Sequence, residues 1–174
     1  VQTCALPILD RTTLYRIGGG RVASVTDPLG NVSRAQHDRF GNLVAMEDPL
    51  GRVTRTEYDD WQRRTRVIAP EGNSEAYAYD ARSNVVATTV RPKPGSTLAA
   101  ITTSATFDPL CNVALTATDE LGQVTTTTIN QATCLVTRIT GPPPVAGAAA
   151  PVTDFAWNAD RKSTRLNSSH TVIS

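Results

Sequence analysis

The stretch Gly41–Trp61, GNLVAMEDPLGRVTRTEYDDW, decides the fold. Two short runs rich in Val, Thr and Tyr flank Asp48-Pro49-Leu50-Gly51, the pattern of two strands joined by a tight turn. Asp48 can accept hydrogen bonds from backbone amides two residues on, Pro49 presets φ, and Gly51 tolerates the conformation that closes the turn. Along the second run, alternation puts Thr54, Thr56 and Tyr58 on one face and Val53, Arg55 and Glu57 on the other. The stretch therefore reads as a β-hairpin that leads into the next one.

Working outward, the same unit returns on both sides. Gly20 opens GRVASVTDPLGNVSRAQHDRF with its turn at Asp27-Pro28-Leu29-Gly30, 21 residues before Gly41. Gln62 opens QRRTRVIAPEGNSEAYAYDAR and Ser83 opens SNVVATTV at the same spacing. An insertion, RPKPGSTLAA, then stretches one unit to 28 residues before ITTSATFDPL resumes the frame. A further unit opens at Cys111, and Cys134 opens LVTRIT. Ala69-Pro70-Glu71-Gly72 and Asp119-Glu120-Leu121-Gly122 keep most of the turn chemistry.

A fixed period of this kind is read before anything else, because each repeat depends on its neighbours for packing. Tyr77 and Tyr79 fall at the positions of Thr56 and Tyr58, so stacked repeats line up aromatic side chains, each cross-strand pair worth about 0.2–1 kcal/mol. No stretch sustains a 3.6-residue apolar period, and Val124–Thr128 is a poor helix former. The Pro-rich segments near Pro92–Pro94 and Pro142–Pro144 read as loops leaving the sheet. The expected fold is all-β: consecutive hairpins over residues 9–140, a Pro/Ala-rich loop over 141–154, and the start of a further repeat over 155–159.

Both ends are expected to be foreign to the protein. Asp160–Asn167, DRKSTRLN, can be encoded by GAT CGG AAG AGC ACA CGT CTG AAC, whose reverse complement translates as VQTCALPI, the run Val1–Ile8. The string resembles a widely used sequencing-library adapter, so residues 1–8 and 160–174 are set aside from fold reasoning. Without Arg161, Lys162 and Arg165 the basic count falls from 17 to 14, and without Asp160 the acidic count falls from 16 to 15, which turns a net charge of +1 into −1. That balance leaves no basic footprint for nucleic acid or an anionic membrane. Cys111, Cys134 and His37 then remain, too few for a metal cluster or a disulfide framework of the small secreted kind. No apolar run approaches the roughly 18 residues of a membrane helix.

The unit, a Gly-x-hydrophobic start, then Asp-Pro-x-Gly, then Tyr-Asp before the next Gly, resembles the YD repeat of Rhs proteins, insecticidal toxin-complex shells and teneurins. The column that carries the resemblance reads His37-Asp38, Tyr58-Asp59, Tyr79-Asp80, Phe107-Asp108 and Ile129-Asn130, with Trp157-Asn158 as one more copy. The resemblance implies a curved strip of a spiralling β-shell. In such a shell Asp27, Pro28, Gly30, Asp38, Asp48, Pro49, Gly51, Tyr58, Asp59, Gly72, Tyr79, Asp80, Phe107, Asp108 and Gly122 are structural signature residues. The function it implies is a structural segment of a secreted shell that encloses a C-terminal toxin domain. Its partners are then the neighbouring repeats and that cargo. The alternative is a cell-surface adhesion or carbohydrate-binding module.

Several residues invite chemistry, and each has a plainer explanation. His37 sits in the Tyr column, where a packing or surface substitution suffices. The recurring Asp38, Asp59, Asp80 and Asp108 suggest a catalytic carboxylate pair or a calcium ladder, but one acidic residue per turn fits a turn cap better. Cys111 and Cys134 share the repeat-opening column. Either they are small residues tolerated at turns, or stacking brings their Cα atoms within about 7 Å for a disulfide. Arg63, Arg64 and Arg66 around Trp61 could mark a glycan or anion surface or simply a solvated strand face. There is no Gly-rich phosphate loop, Gly-x-Ser-x-Gly elbow or His-Glu-x-x-His motif, nor the aspartyl autoproteolysis region that usually closes an Rhs core. No catalytic residue, metal or cofactor is expected, and the chain is not expected to be an enzyme.

Overall fold

The computed structural model describes residues 2–8, 11–18, 21–145, 147–158 and 163–167. All regular structure in them is β, in fifteen short strands. In chain order these are β1 (Gln2–Ile8), β2 (Arg11–Gly18), β3 (Arg21–Thr26), β4 (Val32–His37), β5 (Leu43–Glu47), β6 (Val53–Tyr58), β7 (Arg64–Ile68) and β8 (Ser74–Tyr79). They continue as β9 (Val85–Arg91), β10 (Ile101–Phe107), β11 (Ala114–Thr118), β12 (Val124–Asn130), β13 (Leu135–Thr140), β14 (Val152–Trp157) and β15 (Ser163–Asn167). The fold is the expected run of consecutive β-hairpins.

Contacts divide the chain into two compact units, Val1–Tyr77 with Thr89–Ala100, and Ala78–Thr88 with Ile101–Ser174. In the first, each strand from β1 to β8 pairs antiparallel with its sequence neighbour. In the second, β10 to β15 do the same. Two-strand connections of this length can only be hairpins, because a parallel return needs a dozen or more residues.

The register shows one feature the sequence pattern concealed. A bulge interrupts the ladder at Gln36/His37, Glu57/Tyr58, Thr106/Phe107 and Thr128/Ile129, each time at the position that opens the Tyr-Asp pair. Tyr58 opposes Arg64 while Glu57 opposes Arg66, so one strand carries an extra residue there. The extra residue, Thr65 here, lies on the strand that leaves the turn, and a bulge bends that strand and adds twist to it.

Among the described residues no hydrophobic side chain is buried; only Ser74 and Asp108 are. In β6, Thr54, Thr56 and Tyr58 are half-buried while Arg55 and Glu57 are exposed, as alternation requires. The strands thus obtain their order from backbone ladders and turns more than from a core.

Two boundaries differ from the sequence reading. Residues 141–145 and 147–151 form no strand, but β14 opens at Val152, inside the segment 141–154 assigned to that loop. The alternation Val152, Asp154, Ala156 against Thr153, Phe155, Trp157 is enough to pair with β13 once Pro151 is passed. The terminal segments set aside as foreign include β1, paired with β2, and β15, paired with β14. An exposed sheet edge accepts whatever strand follows it in the chain. The remaining residues of those segments, Val1 with 160–162 and 168–174, lie outside the described residues.

Candidate functional site: the turn clamps

The chemistry-bearing side chains gather at the hairpin ends. In the Asp-Pro-Leu-Gly turns, Asp27 Oδ1 accepts from the amides of Leu29 and Asn31 at 2.8 and 2.9 Å, and Asn31 Nδ2 donates to Oδ2 at 2.7 Å. Asp48 repeats this with the amides of Leu50 and Arg52 at 2.9 and 3.0 Å, and Arg52 Nε reaches Oδ2 at 2.7 Å. Asp119 accepts from the amides of Leu121 and Gln123. Gly30, Gly51, Gly72 and Gly122 close these turns at φ of +87°, +78°, +87° and +76°, a region costly to any residue with a Cβ.

The Tyr-Asp turns use the same device. Asp38 Oδ1 accepts from the amides of Phe40, Gly41 and Asn42, and Asn42 Nδ2 donates to Oδ2 at 2.8 Å. Asp59 holds the amides of Trp61 and Arg63 and, through Oδ2, Arg63 Nε at 2.7 Å. Asp80 holds the amides of Arg82 and Asn84 and the Asn84 side chain. A residue four positions on from Asp, Asn or Arg, thus completes the clamp. Sequence reasoning missed this partner, although the spacing Asp-x-x-x-Asn/Arg is visible in the chain.

The repeat-opening position proves to be a left-handed backbone slot: Gly41, Gln62, Ser83 and Cys134 have φ of +100°, +65°, +67° and +57°. In the turn after Phe107, however, the slot belongs to Asn112 at +55° and not to Cys111. The amide of Asn112, not of Cys111, reaches the carbonyl of Asp108, so this turn is one residue longer than the Asp38 turn and Cys111 falls one place early. The two cysteines therefore do not share one column as the sequence suggested. They are nonetheless joined in a disulfide, with their Cα atoms 5.2 Å apart.

At Asp27, Asp38, Asp48, Asp59, Asp80 and Asp108 the clamp holds the carboxyl below the ordinary value of 3.8. At Asp27 and Asp80 the side-chain amides of Asn31 and Asn84 lead; at Asp48 and Asp108 the backbone amides of Arg52 and Cys111 do. At Asp38 and Asp59 desolvation is the largest single influence and pushes upward, but the summed hydrogen bonds outweigh it. These are carboxylates held ionised as acceptors, the opposite of a tuned general acid.

The aromatic members of the Tyr column reach across to the preceding strand. Tyr58 Oη donates to the carbonyl of Leu43 at 3.2 Å, and Trp157 Nε1 to that of Val136 at 2.6 Å. Tyr79, Phe107 and His37 are half-buried in equivalent places. The three arginines do not converge: Arg63 lies over the Trp61 ring at 4.8 Å, Arg64 over Tyr77 at 5.2 Å, and Arg66 turns to Ser74 at 3.3 Å. A groove of about 400 Å³ between the Asp48 and Ala69 turns is lined by Met46, Thr54, Pro70 and Glu71, with its Asp48 already tied to Arg52. Among the described residues no three His, Cys, Asp or Glu side chains come together as metal ligands.

The fold and these turns define a class, a hairpin repeat whose recurring Asp chemistry closes turns. Residues 18–52 and 37–74 match the RHS Repeat family model. Over residues 18–74 the chain is thus similar to RHS repeats. Among solved structures it is similar to the Photorhabdus luminescens Tc holotoxin pore carrying a mutant TccC3, with a TM-score of 0.67, 14% identity, and coverage of 91% of this chain and 9% of that one. A crystal structure of TcdB2-TccC3 without its hypervariable C-terminal region aligns with a TM-score of 0.49 and 17% identity, over 91% of this chain and 10% of that one. This chain thus spans about a tenth of the length of the proteins it matches. No curated protein matches the sequence.

Proposed function

We propose that this chain is a wall segment of a secreted Rhs/YD-repeat shell that encloses a C-terminal toxin domain, with neighbouring repeats and that cargo as its partners. The observation that carries the reading is that the turns at Asp27, Asp38, Asp48, Asp59, Asp80 and Asp119 each close on their own Asp while, among the described residues, the strands between bury no apolar side chain. Such a strip gains stability by adding hairpins, which suits enclosure. The disulfide favours an oxidising compartment outside the cytosol. The test is cargo protection: a downstream domain of the intact protein should resist protease until the repeat region is cleaved. Equal susceptibility before and after that cleavage overturns the reading.

A second reading, an adhesion module that binds glycans, is favoured by one observation. Trp61 is 76% exposed with Arg63 stacked on its ring, the arrangement of a sugar platform. Glycan-array binding that is lost in Trp61→Ala supports it, and absence of binding removes it.

A further inference from the structure

The turns at Asp108 and Asn130 break the clamp rule, and they break it together. At Asp38, Asp59 and Asp80 Oδ2 is satisfied inside its own turn, by Asn42, Arg63 and Asn84. Asp108 Oδ2 instead accepts from Gln131 Nε2 of the following turn at 2.7 Å, and the residue four on, Asn112, exchanges amide hydrogen bonds with Asn84. In the following turn Asn130 has replaced Asp; its Oδ1 caps the amides of Ala132 and Thr133 and no second oxygen remains. Both turns also run one residue long: the Asp108 carbonyl takes the amide of Asn112 at 3.0 Å, and the Asn130 carbonyl takes that of Cys134 at 2.7 Å in addition to that of Thr133 at 3.2 Å, with Asn130 opposite Leu135. Two lengthened turns that lack the in-turn bond to a second side-chain oxygen are thus held to each other by one side-chain hydrogen bond and by the disulfide.

We propose that Cys111–Cys134 is a thiol–disulfide exchange site, a redox-labile staple across consecutive Tyr-Asp turns whose reaction partner is a dithiol reductant. Access decides the order of attack. Cys134 is exposed at the head of β13 and Cys111 is only half-buried, so neither sulfur is sealed in a core as inert structural bridges are. A thiolate of the dithiol attacks the Cys134 sulfur; the S–S bond breaks, a mixed disulfide forms at Cys134, and Cys111 leaves as thiolate and takes a proton. The second thiolate of the reductant then attacks its own sulfur in the mixed disulfide. The reductant departs oxidised as a cyclic disulfide and Cys134 leaves as the second thiolate. In the reverse sense, two thiols lose two electrons to a disulfide oxidant as the chain enters an oxidising compartment. Reduction leaves the seam with the Gln131–Asp108 hydrogen bond alone, so local opening there should become faster.

The test uses the intact protein that contains this stretch. Free thiols are trapped under denaturing conditions before and after dithiothreitol, and hydrogen exchange is followed in both states. The expected result is that Cys111 and Cys134 resist alkylation until reduced, appear as one linked peptide, and that reduction speeds amide exchange by roughly tenfold or more over 108–113 and 130–135, with 38–42 unchanged. A Cys111→Ser/Cys134→Ser variant should exchange at the fast rate without reductant and ignore dithiothreitol. If it fails to fold, the reduced wild-type protein supplies the same comparison. Alkylation of both cysteines before reduction, or exchange over the seam that is identical with and without dithiothreitol, overturns the proposal.

Discussion

A carboxylate has two oxygens, and the turns at Asp27, Asp38, Asp48, Asp59 and Asp80 use both: one gathers backbone amides and the other takes a side chain four residues on. Protonation removes charge from all those hydrogen bonds at once. Because the folded carboxyls titrate below 3.8, the stability they contribute is fully present above about pH 4 and is lost as pH falls through the lowered folded values. Thermal melts should therefore be flat from about pH 7 to 5 and fall steadily below about 4; a melting point unchanged at about pH 2.5 would contradict the clamp account. The Ala69 turn offers the converse experiment. Its backbone bonds, Ala69 to Asn73 and Gly72 to Ala69, match those of the other turns, but no carboxylate is present. Ala69→Asp should restore bonds to Glu71 and Asn73 amides and stabilise by about 0.5–1.5 kcal/mol in denaturant titration.

At the level of the hairpin, backbone conformation and neighbour contact can be separated. A Cβ added at Gly30 meets nothing within 4 Å, so Gly30→Ala reports left-handed strain alone and should cost about 1–2 kcal/mol. At Gly72 the same Cβ lies 2.8 Å from Pro94 Cδ of the insertion, whose Lys93 also reaches Glu71 at 3.4 Å. Gly72→Ala should then cost measurably more than Gly30→Ala, and Pro94→Ala introduced with it should recover the difference; equal costs would mean that the insertion does not press on this turn. The cross-strand bond from Tyr58 predicts that Tyr58→Phe loses about 0.5–1.5 kcal/mol while keeping the fold.

For the molecule as a whole, the absence of any buried hydrophobic side chain among the described residues sets the expectation. A strip without a core depends on repeats at either end, so this chain alone should associate or expose edges that bind an amyloid dye, and adding natural flanking repeats should suppress it. Sedimentation of the short and extended chains side by side decides this; a stable, dye-negative monomer of the short chain would count against it. Residues 1–8 and 160–174 are inferred to be adapter-derived, and resequencing the gene across both junctions should replace them with other codons.

Much of this was legible in the chain. The period of 21, the Asp-Pro-x-Gly turns and the Tyr-Asp column determine strands, turns and hairpin order, because turn chemistry and alternation act over a few residues. Tertiary structure alone decided the bulges at the turns that follow His37, Tyr58, Phe107 and Ile129, the left-handed slot at Gln62 and Cys134, and the joining of Cys111 to Cys134. Those depend on which residues stand opposite one another across strands. A single added residue in each of two turns shifted that registry, and with it brought two sulfurs together that the linear spacing had assigned to one column.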